Sequence, residues 1–119
     1  MKRILVIEDN ETNMYLISFI LKKTGYEVIE ARSGEEGVEL AIKEKPDLII
    51  MDIQLPGIDG LEATQKIRES EADGEIPIIA LTSYAMIGDK EKALAAGCTG
   101  YIEKPINLDT LMGEIKKYL

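Results

Sequence analysis

The sequence predicts an α/β fold, a (βα)5 doubly wound parallel sheet of five strands in the flavodoxin-like order 2-1-3-4-5. The first indication is a set of unbroken apolar runs, which are typical of strands buried on both faces of a parallel sheet. These runs are Ile4–Ile7, Leu48–Met51 and Ile78–Leu81. The second indication is that segments with helical spacing separate the runs, so right-handed crossovers place helices on both faces. The third is that strands 1, 3 and 4 are the most apolar, which places them in the middle of the sheet.

The first helix is predicted to run from about Glu11 to Thr24. Its apolar residues share one face at helical spacing, at Met14, Ile17 and Leu21. Gly25 ends the helix, because glycine readily adopts the left-handed conformation of a C-cap. The next segment, Glu27–Glu30, is short and is predicted to be an outer strand.

The second and third helices have recognisable first residues. Ser33 opens the second helix, and Glu36 follows three residues later, as in a capping box. Asp59 is the predicted N-cap of the third helix. The predicted inner faces are marked by Val38, Ala41 and Ile42 in the second helix and by Leu61, Thr64 and Ile67 in the third.

The fourth helix, Ala85–Ala96, is predicted to be the most loosely held. Residues 89–92 are all charged, and only three residues offer apolar cover: Met86, Ala93 and Leu94. Gly100–Ile102 is predicted to be a second outer strand. The last helix has a clear apolar stripe, formed by Leu108, Leu111, Met112, Ile115 and Leu119.

Composition limits what the protein can do. The length of 119 residues fits one domain, so we expect a single domain, 1–119, with no further domain after the fifth helix. A net charge of −8 argues against nucleic acid and anionic membranes as partners. No apolar run is long enough for a signal peptide or a membrane span, so a cytoplasmic protein is expected. The lack of histidine excludes Ser-His and Cys-His catalysis, and the single cysteine, Cys98, is expected to be a packing residue.

Polar residues follow four of the five predicted strands. They are Glu8 and Asp9 after the first, Asp52 after the third, Thr82 after the fourth and Lys104 after the fifth. The carboxyl ends of parallel strands meet at one edge of the sheet, where ligands bind in open α/β folds. Carboxylates clustered there repel one another unless they hold protons or share a cation.

This set of residues favours a divalent cation and a phosphate group. A few hard oxygen ligands that leave room for water and phosphate suit Mg²⁺ (or Mn²⁺) better than a caged Ca²⁺. Lys104 adds a positive charge suited to phosphate, and Thr82 adds a hydroxyl donor. Each residue alone also fits an ordinary role, since Asp52 is followed by the turn signal Leu55-Pro56-Gly57. Their joint placement is what indicates a functional site.

Four motifs carry a family resemblance. They are the apolar strand ending in Glu8-Asp9, Leu48-Ile-Ile-Met-Asp52 followed by Leu55-Pro56-Gly57, Ile79-Ala-Leu-Thr82, and Tyr101-Ile-Glu-Lys104-Pro105. With these motifs the whole chain resembles a response-regulator receiver domain of the CheY-like kind. Three longer stretches are most similar to the single-domain, DivK-type regulators: Glu8-Asp-Asn-Glu-Thr-Asn-Met14, Met51-Asp-Ile-Gln-Leu-Pro56 and Thr82-Ser-Tyr-Ala-Met86.

The resemblance implies that Asp52 receives a phosphoryl group from a sensor histidine kinase or a phosphotransfer protein. The domain would then not be a conventional enzyme, although it would catalyse its own phosphotransfer and dephosphorylation. Asp9, Asp52 and the backbone carbonyl of Gln54 would ligate Mg²⁺, with Glu8 acting mainly through water. Glu8 replaces the commoner Asp of the family, which is expected to shift the metal pocket slightly.

The resemblance also implies a switch. Thr82 would bond a phosphoryl oxygen, Lys104 would offset the phosphoryl charge, and Tyr101 would change rotamer, with Tyr84 on the same route. The Lys104–Pro105 peptide bond is expected to be cis. A downstream protein would bind the face made by the fourth helix, the fifth strand and the fifth helix.

Three alternatives share this fold class. A flavodoxin would need a hydroxyl- and Gly-rich loop after the first strand, where the acids Glu8 and Asp9 would repel the FMN phosphate. A haloacid-dehalogenase-type hydrolase would need a second acid two residues after Asp52, where this chain has Gln54. A degenerate receiver that only binds partners is disfavoured because none of the acidic, Thr and Lys positions is missing.

Overall fold

The computed structural model describes residues 1–70, 76–82 and 88–119 of the chain. Five strands alternate with five helices in these residues. The strands are β1 (Arg3–Ile7), β2 (Glu27–Ala31), β3 (Leu48–Asp52), β4 (Ile78–Thr82) and β5 (Gly100–Glu103). The helices are α1 (Glu11–Thr24), α2 (Gly34–Glu44), α3 (Gly60–Ser70), α4 (Asp89–Ala96) and α5 (Leu108–Tyr118).

The sheet is parallel throughout and has the order β2-β1-β3-β4-β5. The predicted fold class and strand order are therefore confirmed. All five residues of β3 and of β4 are buried, whereas β2 and β5 at the edges are only partly buried. This is the distribution expected when the most apolar strands occupy the middle of a sheet with helices on both faces.

Side chains of the sheet point alternately to two separate cores, because successive residues of a strand face opposite sides. One core, under α2, α3 and α4, includes Leu5, Ile7, Ile49, Met51, Ile67 and Ile78. The other, under α1 and α5, includes Ile4, Val6, Ile50, Leu81, Leu111 and Ile115. Because both faces of the sheet are packed against helices, the end of each strand has a fixed position. The polar residues that follow the strands are therefore fixed in position too.

Most predicted helix ends lie where the sequence indicated. Gly25 ends α1 with a left-handed φ of 105°. Ser33 caps α2 by accepting a hydrogen bond from the Glu36 amide at 3.1 Å. The Glu36 carboxylate accepts from the amide of Arg32, one residue before the position that a capping box predicts. Asp59 accepts from the Glu62 amide at 2.9 Å and so caps α3 as predicted.

Three predictions of buried apolar residues are wrong. Ile42 in α2, Leu94 in α4 and Leu108 in α5 are all exposed. In α2 the buried stripe is made of small residues, Gly34, Gly37 and Ala41, because the helix packs very close to the sheet. A Cβ added at Gly37 would lie 2.4 Å from Ile7 Cδ1. Apolar size alone therefore does not identify which face of a short helix is buried.

Helix α4 is anchored unevenly. It begins at Asp89, so residues 85–87 of the predicted helix lie outside the described part of the chain. Its N-cap, Gly88, has a φ of 95° and makes no side-chain capping bond. At the other end, Gly97 and Cys98 donate to the carbonyls of Leu94 and Ala93. Its buried residues among those described are Ala93 and Ala96, which is little apolar cover.

Among residues 1–70, 76–82 and 88–119, no helix is both long enough and apolar enough to cross a membrane.

Candidate functional site

Four strand ends bring the predicted site residues to one edge of the sheet. Strand β1 pairs with β3 up to Ile7 and Met51, and β3 pairs with β4 up to Asp52 and Leu81. Strand β5 pairs with β4 up to Thr82. The residues that end or follow β1, β3, β4 and β5 are therefore neighbours in space. The site is therefore assembled by the order of the strands, from residues that are far apart in the sequence.

The acidic residues form one cluster. Glu8, Asp9 and Asp52 each offer a carboxylate oxygen, and these three oxygens lie within 4.8 Å of one another. Glu8 is fully buried and Asp52 is nearly so, whereas Asp9 is exposed. The cluster is thus built from two inner carboxylates and one at the solvent boundary.

Lys104 supplies the positive charge of the site. Its Nζ lies 3.3 Å from Glu8 Oε1 and 3.2 Å from Asp52 Oδ2. The Lys104 amide donates to the Thr82 carbonyl at 2.6 Å, which continues the β4–β5 ladder by one residue. The peptide bond that follows, Lys104–Pro105, is cis. One ammonium group therefore bridges the two buried carboxylates.

Backbone amides hold the two buried carboxylates in place. The amide of Asn10 donates to Glu8 Oε2 at 3.2 Å, and the amide of Gln54 donates to Asp52 Oδ1 at 3.1 Å. Asn10 also caps α1 by accepting from the Asn13 amide at 2.9 Å. The loop after β1 is therefore tied both to the site and to the start of α1. Sequence reasoning missed Asn10, although Asn one residue before a helical pattern is a recognisable N-cap.

Gly60 allows the start of α3 to pack against the backbone of the site at Asp52. A Cβ at this position would lie 2.4 Å from the backbone oxygen of Asp52. Its amide donates to the carbonyl of Ile53 at 2.9 Å. Only glycine fits so close an approach without a shift of the backbone. The loop that carries Asp52 and Gln54 thus rests on the N-terminal end of α3.

Burial shifts the protonation of Glu8. Removal of its carboxylate from water, followed by the hydrogen bond and charge repulsion of Asp52, raises the pKa of Glu8 to about 7. The Asn10 amide and the Lys104 ammonium act in the opposite direction but are weaker. The pKa of Glu8 near 7 therefore reflects first the burial of its carboxyl group and second the neighbouring Asp52.

The donor set fits a hard divalent cation. Three carboxylates against one ammonium leave a local charge of −2 when all four groups are ionised. Glu8 Oε1 is buried and has no hydrogen-bond partner in the described residues, although Lys104 Nζ is close enough for an ion pair. Oxygen ligands of this number and charge are the kind that Mg²⁺ prefers. The residues present can therefore hold such an ion.

Two of the three predicted switch residues lie in the described part of the chain. Thr82 ends β4, and its Oγ1 is buried without a hydrogen-bond partner among the residues described. Tyr101 is half-buried on the edge strand β5, and its hydroxyl donates to Glu103 Oε1 at 3.1 Å. Tyr84 lies outside the described residues. Cys98 is buried away from the site, 3.6 Å from Thr64 Oγ1, which agrees with a packing role.

The family match and the most similar relatives of this chain indicate the same family. The model of the response regulator receiver domain family matches residues 4–116. The polar-differentiation response regulator DivK of Brucella ovis is 46% identical over 118 residues, which cover 99% of this chain and 96% of that protein. The relative and this chain therefore align over almost their whole lengths.

Solved structures give the same result for the fold. The receiver domain of sensor histidine kinase PA1611 from Pseudomonas aeruginosa, with magnesium coordinated in its active-site cleft, superposes with a TM-score of 0.91. It is 38% identical, and the match covers 98% of this chain and 96% of that one. The receiver domain of Ssk1 in complex with the phosphotransfer protein Ypd1 from Saccharomyces cerevisiae has a TM-score of 0.90 and 33% identity. That match covers 98% of this chain and 88% of the other.

Proposed function

Because the chain belongs to the family of response regulator receiver domains, we propose that Asp52 accepts a phosphoryl group from a phosphohistidine. The donor is a sensor histidine kinase or a histidine phosphotransfer protein. The observation that carries this proposal is the position of the buried Asp52 carboxylate, 3.2 Å from Lys104 Nζ and clustered with Glu8 and Asp9. The complex of Ssk1 with Ypd1 supports the class of donor.

The proposed metal ligands are the carboxylates of Asp9 and Asp52 and the backbone carbonyl of Gln54, with Glu8 acting mainly through water. The magnesium ion in the PA1611 receiver domain supports this choice of metal. A bound Mg²⁺ would offset charge on the phosphoryl oxygens and hold them near Asp52. Glu8 and Asp9 make the site negatively charged, which favours binding of a cation beside Asp52.

The transfer forms one bond and breaks another. A carboxylate oxygen of Asp52 attacks phosphorus, the P–N bond of the phosphohistidine breaks, and the imidazole leaves with the bonding electron pair. The amide of Gln54 orients Asp52 by donating to Oδ1. Lys104 offsets negative charge on the phosphoryl group, and Thr82, whose hydroxyl has no partner in the described residues, donates to a phosphoryl oxygen.

The same residues serve the return to the unphosphorylated state. Water attacks phosphorus, the bond to the Asp52 oxygen breaks, and inorganic phosphate leaves as the carboxylate is restored. Negative charge develops on the phosphoryl oxygens in both reactions, so Lys104 and Thr82 contribute to both. The domain thus catalyses its own phosphorylation and dephosphorylation without acting on a separate metabolite.

The proposed output is a change of protein-binding surface in a cytoplasmic, single-domain regulator formed by residues 1–119. The surface is the face made by α4, β5 and α5. Movement of Thr82 towards the phosphoryl group opens space beside it, which the Tyr101 ring enters. The uneven anchoring of α4 supports this choice, since weakly held elements need little free energy to move.

Intact mass spectrometry tests the proposed phosphorylation. The protein is incubated with Mg²⁺ and acetyl phosphate, and in a second reaction with a phosphorylated histidine phosphotransfer protein. We expect a gain of one phosphoryl group that is absent in Asp52→Asn and absent in chelator. Asp109→Asn, an exposed aspartate in α5, is the matched control and should label like the wild type.

Two results would count against the proposal. Acid-stable label on Ser or Thr, or labelling that persists in chelator, would refute Asp52 as the metal-dependent acceptor. No label at all in a protein that still binds Mg²⁺ would instead indicate a module that binds partners without phosphorylation.

A further inference from the structure

Asp9 differs from the other two carboxylates of the site in the way it is held. Glu8 and Asp52 are buried and contact Lys104, whereas Asp9 is exposed. Because an exposed side chain has few neighbours to hold it, the position of the Asp9 carboxylate depends on the backbone of residues 8–11. Binding sites need their ligands held to within about 0.5 Å. Contacts that fix this segment are therefore important for the proposed metal site.

The C-terminal end of β2 holds both ends of this segment. At one end, the amide of Glu8 donates to the carbonyl of Ala31 at 3.0 Å. At the other end, Nε and Nη2 of Arg32 each donate to one carboxylate oxygen of Glu11. Ala31 and Arg32 are consecutive residues, so the short segment that contains Asp9 is attached on both sides to the same point of the sheet.

Arg32 is itself held from several directions. Its amide donates to the carboxylate of Glu36 at 2.7 Å, and its Nη2 lies 3.0 Å from Oε1 of Glu30. The other carboxylate oxygen of Glu30 accepts from the hydroxyl of Ser18, a buried residue of α1, at 2.8 Å. This hydrogen bond, and after it Arg32, lowers the pKa of Glu30, so Glu30 is ionised at neutral pH. The guanidinium therefore contacts Glu11 from a fixed position.

We propose that Arg32 is a positioning residue for the metal site: by binding Glu11 it holds the segment that carries Asp9, and so keeps the Asp9 carboxylate in place to ligate Mg²⁺. This inference rests on the proposed function, in which Asp9 is a metal ligand. Arginine suits the role because its planar group binds both oxygens of a carboxylate in one orientation, which a lysine ammonium does not do.

The sign of the effect separates positioning from charge. Arg32 carries a positive charge near an acidic site, so by charge alone its removal would strengthen the binding of a cation. Loss of positioning has the opposite effect and weakens binding. The ion pair between Arg32 and Glu11 is exposed, and exposed pairs contribute little to the free energy of unfolding. Weaker Mg²⁺ binding would therefore not arise from a loss of folded protein.

Isothermal titration calorimetry with Mg²⁺ alone tests the proposal on the unphosphorylated full chain. Arg32→Met removes the guanidinium and keeps an unbranched side chain. Groups that orient a ligand directly change metal affinity by about 10- to 100-fold, and Arg32 acts through the backbone, so we expect its removal to raise the Kd about three- to tenfold. Lys22→Met is the matched control, because it removes the same charge about 16 Å along α1 from Glu11. Its Kd should be unchanged or slightly lower.

A double variant with the net charge of the wild type gives the sharpest test. Glu11→Gln combined with Arg32→Met removes one negative and one positive charge, and the new side chains cannot form the ion pair. By charge alone this protein should bind Mg²⁺ like the wild type. If Arg32 acts by positioning, the double variant should bind Mg²⁺ at least as weakly as Arg32→Met, since the restraint is lost in both.

Amide hydrogen exchange in chelator tests the restraint itself, without any metal. The amide of Asn10 donates to Glu8, and the amide of Asn13 donates to the side chain of Asn10. We expect both amides to exchange at least about threefold faster in Arg32→Met than in the wild type, because local opening becomes easier. Exchange in Lys22→Met should be like that of the wild type. Circular dichroism establishes that all variants are folded.

Three results would overturn the role of Arg32. They are an unchanged or lower Kd in Arg32→Met, wild-type affinity in the double variant, and unchanged exchange at Asn10 and Asn13. Failure of the proposed function would be seen separately, as a wild type that binds Mg²⁺ but accepts no phosphoryl group. A wild type that does not bind Mg²⁺ would overturn both the metal site and the role of Arg32.

Discussion

Replacing Glu8 with glutamine should stabilise the metal-free protein, and only at high pH. Glu8 is fully buried beside Asp52, and its pKa is raised from 4.5 to about 7. Below pH 4.5 the group is protonated in both the folded and unfolded states and costs nothing. Between pH 4.5 and about 7 the unfolded chain has released this proton while the folded chain still holds it, so the free energy of unfolding falls over this range and the loss is complete above pH 7.

The size of the loss follows from the two pKa values. A pKa difference of 4.5 to about 7, at about 1.4 kcal/mol for each pH unit, corresponds to about 3 kcal/mol of unfolding free energy at pH 8. Glutamine has nearly the same shape and carries no charge. Glu8→Gln should therefore be more stable than the wild type by up to about 3 kcal/mol at pH 8, and nearly equal to it at pH 4.5.

Urea unfolding followed by circular dichroism, in chelator at several pH values, measures this difference. Asp9→Asn is the matched control, since it removes a carboxylate from the same cluster at an exposed position. Its stability gain should be smaller, because water already screens that charge. If the unfolding free energies of the wild type and of Glu8→Gln change in parallel across this pH range, burial of Glu8 does not destabilise the protein at high pH and the reasoning is refuted.

Other changes test the rest of the site. Adding Mg²⁺ should raise the melting temperature of the wild type. At a Mg²⁺ concentration of 100 times Kd, the expected gain in unfolding free energy is about 2.7 kcal/mol, and no gain would contradict a metal site. Lys104→Met should destabilise the metal-free protein by about 1–3 kcal/mol at pH 8, because it leaves two buried carboxylates unpaired, and a smaller loss is expected at pH 5. Gly60→Ala should cost about 1–3 kcal/mol in urea unfolding, because its Cβ would overlap the Asp52 carbonyl, whereas Gly113→Ala, with open space, should stabilise α5 by about 0.5–1 kcal/mol. Tyr101→Ala should abolish the phosphorylation-dependent gain in partner binding, and an equal gain in the variant and the wild type would exclude Tyr101 from the switch.

Much of the fold could be predicted because the hydrophobic pattern is unambiguous where a segment is buried on both sides. β3 and β4 are apolar without interruption, and both are fully buried. The same clarity placed Asp52 and Thr82 at strand ends. The meeting of the site residues could be predicted too, since strand order alone sets which ends are neighbours.

The errors arise where a residue's environment depends on the distance between elements. Gly37 is buried because α2 nearly touches Ile7, and no sequence pattern states that distance. The apolar stripe of α5 predicts a buried Leu108, but this residue is exposed and lines a groove between α1 and the segment after β5. A leucine at helical spacing carries no information about whether a neighbouring element covers it. The sequence likewise predicted that Glu8 and Asp52 lie close together, but not that burial of Glu8 would raise its pKa.

The uneven anchoring of α4 determines the kind of movement open to this helix. Arg68 of α3 donates to the carbonyl of Gly97 at 2.9 Å, and the Thr99 amide donates to the carbonyl of Ile78 at 2.7 Å. The C-terminal end of α4 is therefore pinned to α3 and β4, while its start at Gly88 has no side-chain cap. If α4 moves, we therefore expect it to pivot about its C-terminal end at Gly97, so that Lys90 is displaced further than Ala96.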